Sequence, residues 1–306
     1  MRGATIMTRC RHACLGLLCA AGLAQAAPPA RVVGLGGAIT EIVYALDAGG
    51  SLVGADASSI YPPEALKLPK VGYYRSFSVE GVVSLKPELV LASDQSGPPQ
   101  ALEQLRRLGG KVVVLPSAPT VSALDQRILG SAEALDRIAA GKALVARIHH
   151  ELGALRELAP AASDGRQPRP RVLLVSSHTG KMLAAGDDTA GGEMLKLVGA
   201  TNVLAGQTGY KPFSAEAAAA LRPDVIVTTS MSVQAGGGAQ AFLAQPGLNA
   251  TPAARNRRIV VMDDLLLLGF GPRLPDALRQ LQAGLRGDGT AGTGNTGGAP
   301  GAGGSR

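Results

Sequence analysis

Residues 71–91, VGYYRSFSVEGVVSLKPELVL, contain a pattern that returns later in the 306-residue chain. A looser copy of its second half, GYKPFSAEAAAALRPDVIVT, occupies residues 209–228. Four positions recur with the same spacing, 136 residues further on: Ser78, Glu80, Leu85 and Pro87 correspond to Ser214, Glu216, Leu221 and Pro223. The repeat predicts two similar lobes in one chain, each with the same loop, short helix and strand.

Strand and helix patterns alternate in both halves of the sequence. Short apolar runs such as RVVGLG at 31–36, SLVGA at 51–55 and KVVVL at 111–115 are typical of buried strands, and helical periodicity separates several of them. A second series of strands begins at Val172. This alternation predicts an α/β protein with two Rossmann-like lobes and parallel sheets.

Between the lobes, residues 121–158 show one apolar stripe at spacings of three, four and seven. We expect a single long helix, about 57 Å if unbroken, that bridges the lobes. The predicted boundaries are therefore an N-terminal α/β lobe at 27–120, the bridging helix at 121–158 and a C-terminal α/β lobe at 159–285.

Both ends of the chain differ from this pattern. Residues 1–26 combine three arginines, an apolar run and the small-residue site Ala24-Gln25-Ala26, which predicts a signal peptide cleaved near Ala26 and an exported protein. The apolar run is too short for a membrane anchor. Residues 286–306 are Gly-rich, and we expect them to be disordered.

Composition excludes several classes of function. All three cysteines lie in the predicted leader, so the mature chain offers no disulfide, zinc-thiolate site or cysteine nucleophile. Removing the three leader arginines lowers the formal net charge from +7 to +4. There is no clustered basic stripe, and we expect no nucleic-acid partner.

Four segments together resemble the periplasmic haem (heme, hemin)-binding proteins of bacterial haem ABC importers. They are RVVGLGGAITEIVYALDAGG at 31–50, VGYYRSFSVEGVVSLKPELVLAS at 71–93, FSAEAAAALRPDVIVTTS at 213–230 and LLLLGFGPRLPDAL at 265–278. The paired Ser-x-Glu pattern is shared with vitamin B12- and siderophore-binding proteins. The GGAITE and GYYR segments narrow the resemblance to haem. The family fold implies a ligand cleft between the two lobes.

The resemblance implies that Tyr73 is the axial ligand of the haem iron and that Arg75 supports it. The chemistry agrees, because a phenolate is a hard anionic donor suited to ferric iron and tyrosine is a known haem ligand. Arg75 can favour the phenolate or bind a propionate. If the segment is extended, Tyr74 should point away from Tyr73. The alternative is that both tyrosines are ordinary packing residues of a loop.

Four further residues are candidates for haem contacts. His178, just after a strand of the second lobe, is either a second iron ligand or a loop histidine without that role. Lys211 and Arg273 are candidates for binding propionates, although Arg273 could instead hold its lobe together. Met231 is predicted to pack against the haem face.

Glu80 and Glu216 have a different predicted role, since negative charge would repel the propionates. The resemblance implies that both lie on the outer rim and contact arginines of an inner-membrane ABC permease. Each is also a first-turn acid that suits the helix dipole after a serine cap, and the two roles are compatible.

The sequence thus predicts a monomeric periplasmic carrier without catalytic activity, whose transported ligand is haem b. A permease receives the haem, and an outer-membrane haem receptor supplies it. Two alternatives remain open: a cobalamin or ferric-siderophore carrier of the same fold, and a two-lobed enzyme of the nucleotide-sugar type. For the enzyme alternative, the sequence contains no recognisable acid/base pair.

Overall fold

The protein is described here by a computed structural model covering residues 28–158, 169–178, 181–213, 218 and 220–287. The predicted signal peptide lies outside these residues, as does the predicted tail apart from Arg286 and Gly287. Ser214 and Glu216 also lie outside them. Within the described part of the chain, no helix is long and apolar enough to cross a membrane.

The first lobe contains six strands and three helices. They are β1 (Val32–Leu35), α1 (Gly37–Ala45), β2 (Leu52–Ala55), β3 (Gly72–Tyr73), β4 (Ser76–Phe77), α2 (Val79–Ser84), β5 (Leu89–Ser93), α3 (Pro99–Arg107) and β6 (Lys111–Leu115). Four strands form a sheet in the order β2-β1-β5-β6, and every pair is parallel. The predicted parallel sheet of this lobe is confirmed.

Hydrophobicity explains the central position of β1 and β5 in this sheet. Both strands, VVGL and LVLAS, are buried along their whole length. Strands covered on both faces have near-continuous apolar sequences, as these do. The carboxyl ends of the strands therefore meet at one edge of the lobe, where ligands of parallel α/β sheets usually bind.

Residues 121–158 form two helices rather than one. These are α4 (Val121–Ala134) and α5 (Ile138–Leu158). Between them Asp136 has a positive φ of 56°, and the Arg137 amide donates to the Ala132 carbonyl, so the chain reverses. The prediction of an uninterrupted helix over this range is wrong, and α5 is the long helix of the fold.

No glycine or proline marks this turn, which is why the sequence pattern missed it. Aspartate tolerates the left-handed region better than most residues, and both helices continue the same apolar period. The two helices pack side by side, with His149 Nε2 2.8 Å from Asp125 Oδ2. The 21 residues of α5 extend about 31 Å. This helix also packs against the last helix of the chain, as a bridging helix must.

The second lobe contains the remaining described elements. They are β7 (Arg171–His178), β8 (Lys181–Ala185), α6 (Ala190–Leu197), β9 (Thr201–Asn202), β10 (Tyr210–Pro212), β11 (Val225–Thr229), α7 (Ser230–Ala235), α8 (Ala239–Leu243), α9 (Pro252–Arg255), β12 (Ile259–Met262), α10 (Asp264–Leu268) and α11 (Leu274–Arg286). Five strands follow the order β10-β8-β7-β11-β12, and β9 pairs with β7.

This second sheet is mixed, in contrast to the prediction. Strands β9, β7, β11 and β12 are parallel neighbours, but β8 runs antiparallel to both of its neighbours, β7 and β10. The difference arises because β7 extends as far as His178, which pairs with Lys181, and the chain returns directly as β8. His178 therefore ends a strand of a hairpin, where the sequence had predicted a loop leading to a helix.

The internal repeat is visible in how each lobe fixes its copy of the motif. Arg31 Nη2 donates to the Leu85 carbonyl at 2.5 Å, and Arg171 Nη2 donates to the Leu221 carbonyl at 2.9 Å. The residue before each repeated proline also has a positive φ, 48° in the first copy and 44° in the second. The two lobes therefore use the same contact at equivalent positions.

One apolar cluster extends through both lobes and the helices between them. It includes Leu46 at the C-cap of α1, Ile148 of α5, Leu174 of β7 and Leu278 of α11, all buried. Since the same cluster contains side chains from both sheets, the lobes share a core through these helices. The helices at the junction are consequently part of the folded core.

Ile148→Ala should lower the free energy of unfolding by about 2–5 kcal/mol, because it removes a fully buried side chain from this shared core. Denaturant unfolding followed by circular dichroism measures the change. Ile138→Ala, on the same helix but 50% exposed, is the control and should change stability by less than about 0.5 kcal/mol. Equal effects of the two substitutions would contradict the shared core.

Candidate functional site

Tyr73 and Arg75 lie on a small hairpin at the carboxyl edge of the first sheet. Strands β3 and β4 pair Gly72 with Phe77 and Tyr73 with Ser76. Gly72 has a φ of 100°, which glycine adopts without strain, and the Phe77 ring is buried beneath the hairpin. Tyr73 remains 37% exposed, so the hairpin presents it to solvent.

The three side chains at the hairpin tip contact one another. The Tyr73 and Tyr74 ring centroids are 4.6 Å apart at an interplanar angle of 60°. Arg75 Nε donates to the Tyr74 hydroxyl at 3.0 Å, and Arg75 Nη1 donates to Gln95 Oε1 at 3.2 Å. The expectation that Tyr74 points away from Tyr73 is wrong, because the chain turns here and does not continue as an extended strand.

Burial and neighbours keep Tyr73 protonated when no metal is present. Burial raises the pKa of the Tyr73 phenol to about 12, and the hydrogen bond with Tyr74 acts in the same direction. Arg75 opposes this shift through a hydrogen bond and its charge. Binding of Tyr73 to a cation as a phenolate therefore requires release of a proton, and Arg75 is placed to stabilise the resulting anion.

Tyr210 of the second lobe lies across from this hairpin. Burial raises the pKa of Tyr210, while hydrogen bonds to the Gly191 backbone and the Thr189 side chain lower it. The Tyr74 hydroxyl raises the pKa of Tyr210 further and Arg75 lowers it, so both side chains lie within electrostatic reach. Tyr210 of the second lobe is thus close enough to the hairpin of the first lobe to interact with it electrostatically.

Tyr210 is not among the site residues predicted from the sequence, although the repeat contains a signal for it. The repeat offset of 136 residues that relates Ser78 to Ser214 also relates Tyr74 to Tyr210. Applying the offset to the residues before the repeated half would have placed an aromatic side chain of each lobe at equivalent positions.

Arg273 joins the two lobes instead of standing free in the cleft. Its Nε donates to Glu41 Oε1 of α1 at 2.8 Å, and Nη2 donates to the same oxygen. Its guanidinium also lies 3.5 Å from the Tyr61 ring centroid and 4.0 Å from Asp263 Oδ1. Of the two roles predicted for Arg273, the structure supports the structural one, because the cation already has partners.

Glu41 is the buried partner in this ion pair, with 3% of its side chain exposed. Burial raises the pKa of Glu41 to about 7, and Arg273 acts against that shift through its charge and hydrogen bonds. A buried carboxylate of this kind depends on its cation, because an unpaired charge in the interior is strongly unfavourable.

The other predicted residues of the second lobe are distributed along its edge. Lys211 is exposed on β10 beside Tyr210. Met231, 61% exposed, lines a cavity of about 370 Å³ with Met182 and Gln245. His178 is the last residue of β7, and its side chain lies outside the described part of the structure. The cavity places Met231 and Met182 together, whereas Tyr73 does not line it.

Glu80 is exposed on α2, while Val79 and Val82 of the same helix pack into the core of the first lobe. Ser78 accepts a hydrogen bond from the Gly81 amide at 2.9 Å, which confirms it as the helix cap, and its hydroxyl donates to Glu80 Oε2 at 3.3 Å. Glu80 is the acid of the first turn of α2. The equivalent Glu216 lies outside the described residues.

Residues 32–266 match the family described as periplasmic binding protein. A solved structure of the periplasmic heme-binding protein BhuT in complex with two hemes is 45% identical and has a TM-score of 0.77. The match covers 83% of this chain and 97% of BhuT. At this identity, the likeness extends well beyond a common fold.

Two curated relatives match over similar lengths. The uncharacterized ABC transporter substrate-binding lipoprotein YvrC of Bacillus subtilis is 33% identical over 83% of this chain and 79% of its own. The vitamin B12-binding protein of Vibrio cholerae is 27% identical over 85% of this chain and 90% of its own. The two-lobed α/β fold that the sequence predicted is therefore the fold of this group.

Arg273→Met should destabilise the protein by about 3–5 kcal/mol, because it leaves Glu41 buried without its cation. The Glu41 pKa of the variant should then rise above the wild-type value of about 7. A raised folded-state pKa favours the protonated form, so stability falls as pH rises, and the loss should be larger at about pH 8 than at about pH 5. Denaturant unfolding at both pH values measures it.

Arg279→Met is the matched control for this experiment. Arg279 also pairs with two acids, Glu151 and Asp276, but 47% of its side chain is exposed. Its loss should cost less than about 1 kcal/mol at either pH. If both variants behaved alike, the junction would not depend on the buried pair.

Proposed function

Because the chain belongs to the periplasmic binding protein family, we propose that it is a carrier, and that its ligand is haem. In this proposal the protein binds haem b in the cleft between its lobes and delivers it to an inner-membrane ABC permease for iron uptake. An outer-membrane haem receptor supplies the haem. The protein acts in the periplasm, after removal of its leader, as a monomer without catalysis.

The Tyr73–Tyr74–Arg75 cluster at the cleft is the observation that carries the proposal. Tyr73 is an exposed phenol on a rigid hairpin, and a phenolate oxygen is a strong ligand for ferric iron. Arg75 is adjacent and positively charged, so it favours the anion. The Tyr74 ring, tilted by 60° against Tyr73, adds an aromatic surface of the kind that packs against a flat macrocycle.

The second lobe contributes the opposite wall of this cleft. Tyr210 provides a further aromatic side chain, and Lys211 beside it supplies a positive charge for a propionate. Met231 is assigned to packing against the ligand. His178 is assigned as the candidate for a second iron ligand. The likeness to BhuT, whose structure holds two hemes, supports haem as the ligand.

Cobalamin is the second candidate, since a vitamin B12-binding protein is among the relatives. Cobalamin carries its cobalt within a bulky corrin and does not require a phenolate from the protein. A tyrosine beside an arginine on the hairpin of the first lobe therefore favours haem over cobalamin. Direct comparison of the two ligands in the same titration distinguishes the candidates.

Docking to the permease is assigned to Glu80 and, by the repeat, Glu216. Glu80 is exposed on the first turn of α2, where its charge is available to a partner. Equivalent acids on two similar lobes match a permease with two-fold symmetry.

Tyr73→Phe should weaken ferric haem binding by at least about 100-fold, more than the 10–100-fold expected for loss of an outer-shell partner. Tyr73→Ala should do the same. Titration followed by absorption measures the affinity, and the phenolate-to-iron charge-transfer band should disappear. Tyr44→Phe removes a hydroxyl away from the hairpin and should bind normally. Unchanged affinity in Tyr73→Phe would overturn the assignment.

The same titration has a pH dependence. Since the free Tyr73 phenol has a pKa of about 12, it loses a proton on binding iron at neutral pH. The haem affinity should therefore rise with pH, by at most about tenfold per unit between about pH 6 and 8. Tyr73→Phe should lack this slope. An equal slope in both proteins would mean that a group other than Tyr73 releases the proton when haem binds.

Glu80→Arg combined with Glu216→Arg should leave haem binding intact and abolish uptake through the importer. The physical reason is charge reversal at both contacts with permease arginines. Haem-dependent growth measures uptake, and haem titration of the purified variant measures binding. Glu103→Arg reverses another exposed acid of the first lobe and serves as control. Normal uptake by the double variant would remove these residues from docking.

A further inference from the structure

Asp56, at the carboxyl end of β2, is a fully buried carboxylate that accepts five hydrogen bonds. Its Oδ1 accepts from the Gly36 amide at 3.0 Å and from Ser59 Oγ at 2.9 Å. Its Oδ2 accepts from the Ser58 amide at 2.9 Å, Ser58 Oγ at 2.7 Å and the Tyr74 amide at 3.2 Å. One side chain therefore joins the end of β1, the loop after β2 and the hairpin of the candidate site.

The bond to Tyr74 fixes the peptide between Tyr73 and Arg75. The Tyr74 carbonyl, on the other side of the same residue, accepts from the Gly97 amide at 3.0 Å. The Ala57 amide, next to Asp56, donates to the Gly72 carbonyl at 2.8 Å. The hairpin is thus held at its backbone on both sides, which leaves the side chains of its tip free to contact a ligand.

A carboxylate suits this position better than any other side chain of its size. All five partners are N–H or O–H donors, and an ionised carboxylate is purely an acceptor, with two oxygens and about four lone-pair sites. An asparagine would turn an NH₂ group toward donors and leave them unpaired. The Lys70 ammonium donates to the Ser59 carbonyl at 2.7 Å, and burial lowers its pKa while the charge of Asp56 raises it.

The network also reaches helix α1. Ser59 donates its hydroxyl proton to Asp56, so the 2.7 Å contact between Ser59 Oγ and Thr40 Oγ1 must have Thr40 as donor. Thr40 precedes Glu41, which holds Arg273 of the second lobe. Adjacent residues of α1 therefore contact the support of the hairpin and the junction between lobes.

The geometry points to Asp56 as the positioning residue for the haem ligand Tyr73. Asp56 does not touch the ligand; it sets the backbone of the hairpin so that the phenol meets the iron without prior rearrangement. This inference rests on the proposed function, because it takes Tyr73 as the iron ligand. Support of this kind lowers the ordering cost of binding.

Asp56→Asn should weaken ferric haem binding about 10–100-fold, the range for loss of an outer-shell partner. It should also shift the phenolate-to-iron charge-transfer band, since the bond between Tyr73 and iron is misaligned. Ser58→Ala is the matched control: it removes one donor to Asp56 but leaves the Asp56–Tyr74 bond. The control should retain the wild-type spectrum even if its thermal stability falls.

A folded Asp56→Asn protein with wild-type affinity and spectrum would overturn the inference. If Asp56→Asn does not fold, hydrogen exchange of the wild-type apo-protein provides a second test. The Tyr74 amide should exchange slowly, as a bond to a buried carboxylate requires. Exchange as fast as in an unstructured peptide would also overturn the inference, because the hairpin would then not be held before binding.

Failure of the proposed function gives a different result. Wild-type protein that does not bind haem refutes Tyr73 as the haem ligand and with it the role of Asp56 toward haem. The Tyr74 amide exchange rates of wild type and Asp56→Asn would still show whether Asp56 holds the hairpin. Normal haem binding with an unaffected Asp56→Asn protein refutes the positioning role alone.

Discussion

Two buried carboxylates constrain the arrangement of this protein more than any other polar groups described. Asp56 holds the hairpin against the edge of the first sheet, and Glu41 holds Arg273 across the lobe junction. Helix α1 connects them, since Thr40 belongs to one network and Glu41 to the other. Burying charge is costly unless each oxygen has donors, so both networks require a unique local structure. The position of the hairpin and the contact between the lobes therefore depend on these two networks.

A carrier benefits from such constraint because its affinity depends on how little must be ordered when the ligand binds. The apolar cluster shared by both sheets limits independent motion of the lobes, and the backbone contacts of Tyr74 limit motion of the hairpin. The proposed ligand Tyr73 is left exposed on this framework, with Arg75 held by Tyr74 and Gln95. The same segment therefore combines a firmly held backbone with an accessible Tyr73 side chain.

The sequence predicted those features that local patterns determine. The first parallel sheet and the Ser78 cap follow from apolar runs and capping chemistry, and the structure confirms them. The repeat predicted two similar lobes; both lobes use the same Arg–Leu contact, but the second sheet is mixed. The turn at Asp136 was missed because its left-handed residue carries no glycine signal. The antiparallel β8 was missed because a tight hairpin after β7 resembles a strand followed by a loop.

The site was predictable only in part, for a related reason. Tyr73 and Arg75 stand in a recognisable segment, but the partners of Asp56 come from three separate stretches, and Glu41 meets Arg273 across 232 residues. Contacts over such separations leave no periodicity in the sequence. The tilted contact between the Tyr74 and Tyr73 rings likewise depends on a turn that no local pattern indicated.

The positions of the tyrosines have an optical consequence. The chain has five tyrosines and no tryptophan. Tyr73 and Tyr74 lie on the hairpin, within electrostatic reach of Tyr210, while Tyr44 and Tyr61 line a cavity beside Arg273 at the lobe junction. Tyrosine fluorescence therefore arises from the candidate site and from the lobe junction. The unlabelled protein carries its own spectroscopic reporter, with no background emission from the rest of the fold.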